Sequence, residues 1–347
     1  MRVLCPLILL GHFLVLQGAG RVLYVAPNGD DGHQGSAGAP FRTLSRAVEA
    51  ARAGDTVTVG DGTYGPGSAL TDGDLADTNH SPVALRNSGS PSAWILIRSQ
   101  HKWGAVLDCE MRCDSYFDLA RASYVEIRDF VITRGYREGI HSNDSAHHIT
   151  LRGNRIEFIA NRETSTVYGL DGMYTNPNCH DFLIDGNVFH DIGRTNVNWL
   201  DHGLYLRGWN FTVTNNVFYH LTRGWAITLA DGLVNVLIGN NIFAFPNPIK
   251  DGHIMMWNRQ SGLTIENNIF YAPRNHAIDR FDSSASACII GHNLVYGASA
   301  VMADESGCRV DKNRIGADPR FVNAATPPYD FRMRADSPAI GNYGPSR

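Results

Sequence analysis

Two short segments concentrate side chains that can do chemistry: YGLDGMY at 168–174 and WLDHGLYLR at 199–207. Between them they hold two carboxylates, Asp171 and Asp201, two phenols, Tyr174 and Tyr205, the imidazole of His202 and the guanidinium of Arg207. Tyr205 and Arg207 are two apart, so on an extended strand they share a face. Carboxylates brought together either bind a cation such as calcium or raise one another's pKa. Glu138 is a third acid that could join Asp171 and Asp201 around calcium. His202 is the first choice for a base working near neutrality, and Arg207 can neutralise an anionic substrate group. Tyr205 can donate a proton to a leaving oxygen. Lys250, beside Asp251 and His253, is the substitute base. Trp225 and Trp257 offer flat faces for sugar rings, with His253 and Asp279 nearby as polar wall.

Composition narrows what such a set can serve. At 347 residues and 43% hydrophobic, the chain can bury a large core and is not disordered. Its formal net charge of −4 lacks the basic excess of a nucleic-acid binder. Only Lys102, Lys250 and Lys312 are lysines, so the other 27 basic residues are Arg, whose planar fork suits carboxylates. Residues 1–20 read as a signal peptide: Arg2, an apolar run from Val3 to Leu16, then Gly18-Ala19-Gly20. Secretion is expected, to a periplasmic, cell-surface or extracellular setting, with no membrane span. Cleavage there leaves five cysteines, Cys109, Cys113, Cys179, Cys288 and Cys308, an odd number. The pair His147-His148 and the scattered remaining His show no ligand spacing on one face, so no zinc or copper site is expected.

A repeat must position these groups. From residue 124 onward the chain reads YVEIRDFVI, HITLRGNRI, FLIDGNVF, FTVTNNVF, NVLIGNNIF, LTIENNIF, CIIGHNLV and CRVDKNRI. Alignment puts Asn154, Asn187, Asn216, Asn241, Asn268, Asn293 and Asn313 in one column headed by Phe130. Aliphatic residues stand three before it and aromatic or aliphatic ones two after it. Successive Asn are 33, 29, 25, 27, 25 and 20 residues apart, a solenoid period without helix-length segments. Short strands at that period stack as a parallel β-helix, and Asn suits the bend because its amide can hydrogen-bond along the stack. The expected organisation is a single domain over 21–347 of about ten coils. It has a capping amphipathic helix at about 43–53, ladder coils at about 124–316 and a wrapping tail at 317–347.

Cys288 and Cys308 share a column in consecutive coils, close enough for a disulfide or for two packed thiols; Cys109 and Cys113 present the same alternatives. A second strand per coil aligns EGIH, DGMY, HGLY, WAIT, GHIM, HAID and SAVM, with Ile140, Met173, Leu204, Ile227, Ile254, Ile278 and Val301 as its buried column. By alternation, Gly139, Gly172, Gly203 and Ala226 should face outward as a bare floor for a chain ligand. Glu138, Asp171 and His202 stand just before that floor, and His141, Tyr174, Tyr205 and Asp279 just after the buried column. Two sequons, at Asn143 and Asn210, matter only in a glycosylating source.

The helix, the GDTVTVGDGTY segment and the NN[IV]F rungs resemble secreted right-handed parallel β-helix proteins of the polysaccharide-lyase and uronan-epimerase kind. The resemblance covers most of residues 22–340 and implies an all-β, right-handed parallel β-helix acting on an acidic polysaccharide or oligosaccharide as a monomer. YGLDGMY partly resembles the epimerase signature, but Gly172-Met173-Tyr174 replaces its Pro-His-Asp. HGLYLR resembles the later His-Gly strand of those enzymes. Lyases of this kind often use a lysine base with calcium. β-Elimination on a uronate is therefore the leading expectation, calcium is the one cofactor in view, and none is required. Glycoside hydrolysis through Asp171 and Asp201, C5 epimerisation, and a non-catalytic binding or structural solenoid remain alternatives.

Overall fold

The computed structural model describes residues 20–66, 81–142, 144–160, 170–194, 200–221, 223–246 and 249–345. The expected signal peptide lies outside them apart from Gly20, as does Asn143 of the first sequon.

The repeat folds as a parallel β-helix with three faces. The first face stacks strands such as Ser123–Arg128, His147–Arg152, His180–Asp185, Trp209–Thr214 and Val234–Gly239. The second stacks Ile140–Ser142, Asp171–Thr175, His202–Leu206 and Ile227–Leu229. The third is a parallel sheet, ten-stranded among the described residues, running through Arg155–Glu157, Val188–Ile192, Val217–Leu221 and Ile242–Ala244. Farther along, Ile254–Glu266 and His276–Ser286 each run unbroken from the second face into the first.

Asn residues mark the corner between the first and third faces. The amides from Asn154 to Asn293 are buried, and each bonds to the next: Asn187 Nδ2 donates to Asn216 Oδ1 at 3.0 Å, Asn216 to Asn241 at 3.0 Å, and so on to the partly exposed Asn313. The same Oδ1 accepts the backbone N–H of the preceding coil's Asn, so one side chain satisfies a corner that a bend would leave unpaired. Phe130 heads the column by donating its N–H to Asn154. Behind the ladder, Phe189, Phe218, Phe243 and Phe270 stack with centroids 4.9–5.1 Å apart. In-register pairing makes that spacing automatic.

Leu44–Ala50 is the helix, shorter than expected; Thr43 caps it by accepting the Arg46 N–H, and Leu44, Ala47 and Val48 are buried. Cys109–Cys113 and Cys288–Cys308 are disulfides, the second between register partners, leaving Cys179 buried and free. One expectation is corrected. Met302, not Val301, is the register partner of Ile278. The tail forms the antiparallel pair Phe321–Asn323 and Asp330–Met333 and packs back along the third face. There Tyr329 and Phe331 meet Tyr219 and Phe245, and Phe321 meets Tyr271.

Candidate active site

On the second face Met173 and Leu204 point inward in register, so Tyr174 and Tyr205 emerge outward, also in register. His141 stacks on Tyr174 at 5.3 Å and Tyr174 on Tyr205 at 5.7 Å, a continuous column of rings over three coils. Arg207 lies across it, its Cζ 5.3 Å from the Tyr205 centroid and 5.9 Å from that of Tyr174. Arg207 Nη1 donates to Tyr174 Oη at 3.0 Å, and Nη2 pairs with Asp231 at 2.6 Å. Burial raises both phenols above their ordinary range while Arg207 pulls them back. Both keep their protons at neutral pH and can donate them.

His202 is sunk beneath this column, sandwiched between Tyr205 and Trp225 with centroids 5.6 Å away on each side. Its Nδ1 accepts the Trp225 backbone N–H at 3.0 Å, which leaves the ring proton on Nε2. Burial and the nearby Lys250 charge push its pKa down to about 3. His202 is thus a neutral donor, and the expected base role does not fit it: its one lone pair is already occupied.

Lys250 reaches over the Trp225 ring, Nζ 3.8 Å from the centroid, and is buried. Desolvation pushes its pKa down to about 8, against the pull of Asp279. Trp225 Nε1 donates to Asp279 Oδ2, which also accepts the Gly252 N–H at 3.2 Å. Asp279 Oδ1 sits 2.7 Å from His276 Nε2, and that hydrogen bond raises the His276 pKa. The strip therefore joins Arg207, Tyr205, His202, Trp225, Lys250 and Asp279 through direct contacts. Trp257, partly exposed and in register with Phe281, lies farther along the same face.

Several expected members are placed elsewhere. Asp201 is fully buried against Arg194: Oδ1 takes Nη2 at 2.6 Å, and Oδ2 takes Nε at 3.0 Å and the Arg194 N–H at 2.7 Å. It can act neither as a hydrolytic carboxylate nor as a cation ligand. Asp171 accepts the His202 N–H at 2.9 Å, and burial together with Glu138 raises its pKa well above the carboxylate range. Glu138 faces His141, its Oε2 3.4 Å from Nδ1. Calcium calls for six or more available oxygens, and the expected trio Glu138, Asp171 and Asp201 does not fit it. Asp251, His276 and Asp279 bring donor atoms within 4.8 Å of one another, but Asp279 is engaged by Trp225, Gly252 and His276, and calcium fits there poorly too.

His253 belongs to the inward column: it is buried with its ring 5.9 Å from Phe243 and 6.0 Å from Phe270, and burial lowers its pKa to about 4. The small-residue column is likewise internal. A Cβ at Gly139, Gly172 or Gly203 would lie 2.5–2.7 Å from the carbonyl oxygen of the next coil and against Ile156, Phe189 or Phe218. Glycine is needed there for close backbone approach rather than for a sugar. Sequence reasoning missed Arg194, Asp231 and His276. Only His276 had a signal, as the continuation of the column Glu138, Asp171, His202, Trp225, Gly252.

A family model described as "Right handed beta helix region" matches residues 139–315, half of the chain. The chain belongs to the right-handed β-helix family. A second model of this fold, "Pel9A-like, right handed beta helix region", matches residues 23–182. Curated relatives include the uncharacterized protein YwoF of Bacillus subtilis, 32% identical over 41% of this chain and 30% of its own. Pectate lyase PEL9 of Emericella nidulans is 28% identical over 38% of this chain and 33% of its own. The matched stretch thus spans about a third of either relative's length. Among solved structures, pectate lyase Pel9A superposes with a TM-score of 0.51 at 15% identity, covering 93% of this chain and 92% of that one. An alginate lyase from Paenibacillus sp. gives 0.58 at 18% identity over 85% and 95%. A glycoside hydrolase gives 0.56 at 8% identity over 85% and 97%. At such identities these right-handed β-helices share the fold, which itself hosts more than one chemistry. Among the described residues no helix is long and apolar enough to cross a membrane.

Proposed function

We propose that this right-handed β-helix protein is a secreted polysaccharide lyase that cleaves a uronate-containing chain by β-elimination, with Lys250 as the base. The observation that carries the reading is a buried lysine held over Trp225 with its pKa pushed down to about 8, two stacked rings from Tyr205. A neutral amine is then available near neutral pH to take the uronate C5 proton, which is acidic only while the adjacent carboxylate is electrostatically neutralised. Arg207 supplies that positive charge. As the C4–C5 double bond forms and the C4–O4 bond breaks, the Tyr205 phenol gives its proton to O4. Solvent afterwards restores the proton to Tyr205 and removes it from Lys250. His202 holds the Trp225 and Tyr205 rings in place. The names of pectate and alginate lyases among the relatives and fold neighbours support this substrate class.

The test is incubation with a panel of uronans while following ultraviolet absorbance of the unsaturated product alongside reducing ends. Both signals should rise together on one of them. Reducing ends without absorbance mean hydrolysis; solvent deuterium at C5 without cleavage means epimerisation; binding without any product means a non-catalytic solenoid. Each of these outcomes overturns the proposal.

A further inference from the structure

On the first face His147 and His180 are register partners, and their rings stack parallel with centroids 4.8 Å apart. His180 stacks in turn on Trp209 at 4.5 Å. Strand alternation would send His148 to the opposite side, but its φ of 53° lies in the left-handed region and turns it back. Its Nδ1 stands 2.8 Å from Nδ1 of His147. One coil on, Asp181 has the same left-handed backbone (φ 58°) and puts Oδ2 2.6 Å from His180 Nδ1 and 3.7 Å from His148 Nδ1. Asn210 steadies that carboxylate by donating to Oδ1 at 3.0 Å. One nitrogen from each of the three imidazoles lies within 4.8 Å of the others, and all three rings are partly exposed.

We infer that His147, His148 and His180, with Asp181 as fourth ligand, form a zinc-class metal site that clips two neighbouring coils together. Ligands about 2.0–2.1 Å from a tetrahedral zinc lie about 3.3 Å from one another, so binding opens the 2.8 Å His147–His148 and 2.6 Å His180–Asp181 contacts and tilts the parallel His147 and His180 rings toward one point. Three imidazoles and one carboxylate suit zinc, copper or nickel and not calcium. The two facing Nδ1 atoms can share at most one proton, so a cation between them replaces one weak contact with two strong ones.

The test is calorimetric titration of the chelator-treated full chain with zinc chloride, with calcium chloride as the comparison. One saturable zinc equivalent is expected, with calcium giving none. His147→Ala and His180→Ala should each weaken zinc binding by at least ~10-fold. Cobalt(II) titration of the unsubstituted chain gives a readout independent of variant folding: a tetrahedral visible spectrum is expected. Absence of saturable zinc binding, an octahedral cobalt spectrum, or binding that survives His147→Ala/His180→Ala but is lost in His276→Ala overturns the inference.

Discussion

Lys250 Nζ rests 3.8 Å from the centre of the Trp225 ring, and the same indole donates its N–H to Asp279. One aromatic side chain thus shields the ammonium from water and fixes the carboxylate that partly compensates it. Desolvation outweighs that compensation, and the lysine pKa falls to about 8.

Loss of the base should be the largest catalytic effect. Lys250→Ala is expected to lower kcat by at least ~100-fold, and Lys250→Arg should not restore it, because a guanidinium stays protonated. In the unsubstituted enzyme only the neutral amine works, so kcat/KM should rise as pH increases through about 8. Asp279 raises the lysine pKa, so Asp279→Asn should move that rising limb to lower pH. Full pH–rate profiles check all of these; an unshifted limb in Asp279→Asn would detach the pair.

Arg207 and Tyr205 act on different parts of the same step. Arg207→Ala should cut turnover by about 100-fold on a uronate polymer, as expected of one electrostatic stabiliser. Tyr205→Phe, which keeps the stacked ring but removes the acid, should lower kcat with little change in KM. Steady-state kinetics on a single defined oligomer separates the effects. Near-unsubstituted turnover in both variants moves the chemistry away from this strip.

Asp201 belongs to stability rather than catalysis. Asp201→Asn removes the carboxylate charge that pairs with the buried Arg194 guanidinium, and a loss of about 3–5 kcal/mol is expected. Urea titration measures it. A variant that keeps full stability yet loses turnover would place Asp201 back among the catalytic groups.

Acid should destabilise the fold partly through His253. Its pKa is about 4 in the folded chain against an ordinary 6.5, so below pH 6.5 the unfolded chain takes up a proton that the folded chain refuses. The stabilisation is fully present above pH 6.5 and is lost as pH falls toward 4, at up to about 1.4 kcal/mol per pH unit. His253→Phe should flatten the acid limb of a melting-temperature profile. An unchanged limb assigns the acid sensitivity to other groups, with His202 next to test.

Whatever repeats along the axis was readable from residue order. The Asn column, the apolar columns flanking it, the stacked Tyr174 and Tyr205 and the coincidence of Cys288 with Cys308 all follow from one rule: identical positions of in-register strands meet one coil apart. Strand alternation likewise put Arg207 on the face of Tyr205, and the two side chains do meet. Only the tertiary structure decided what happens where that rule lapses. Gly139, Gly172, Gly203 and His253 turn inward where alternation would send them out, and the left-handed backbone of His148 (φ 53°) turns it to the side of His147. Other contacts join residues that the repeat does not relate: Arg194 pairs with Asp201, and Lys250 reaches across a coil to Trp225. The charge states follow from those contacts. His202 loses its lone pair to a backbone N–H and Lys250 loses its water to an indole, and neither neighbour is adjacent in the chain.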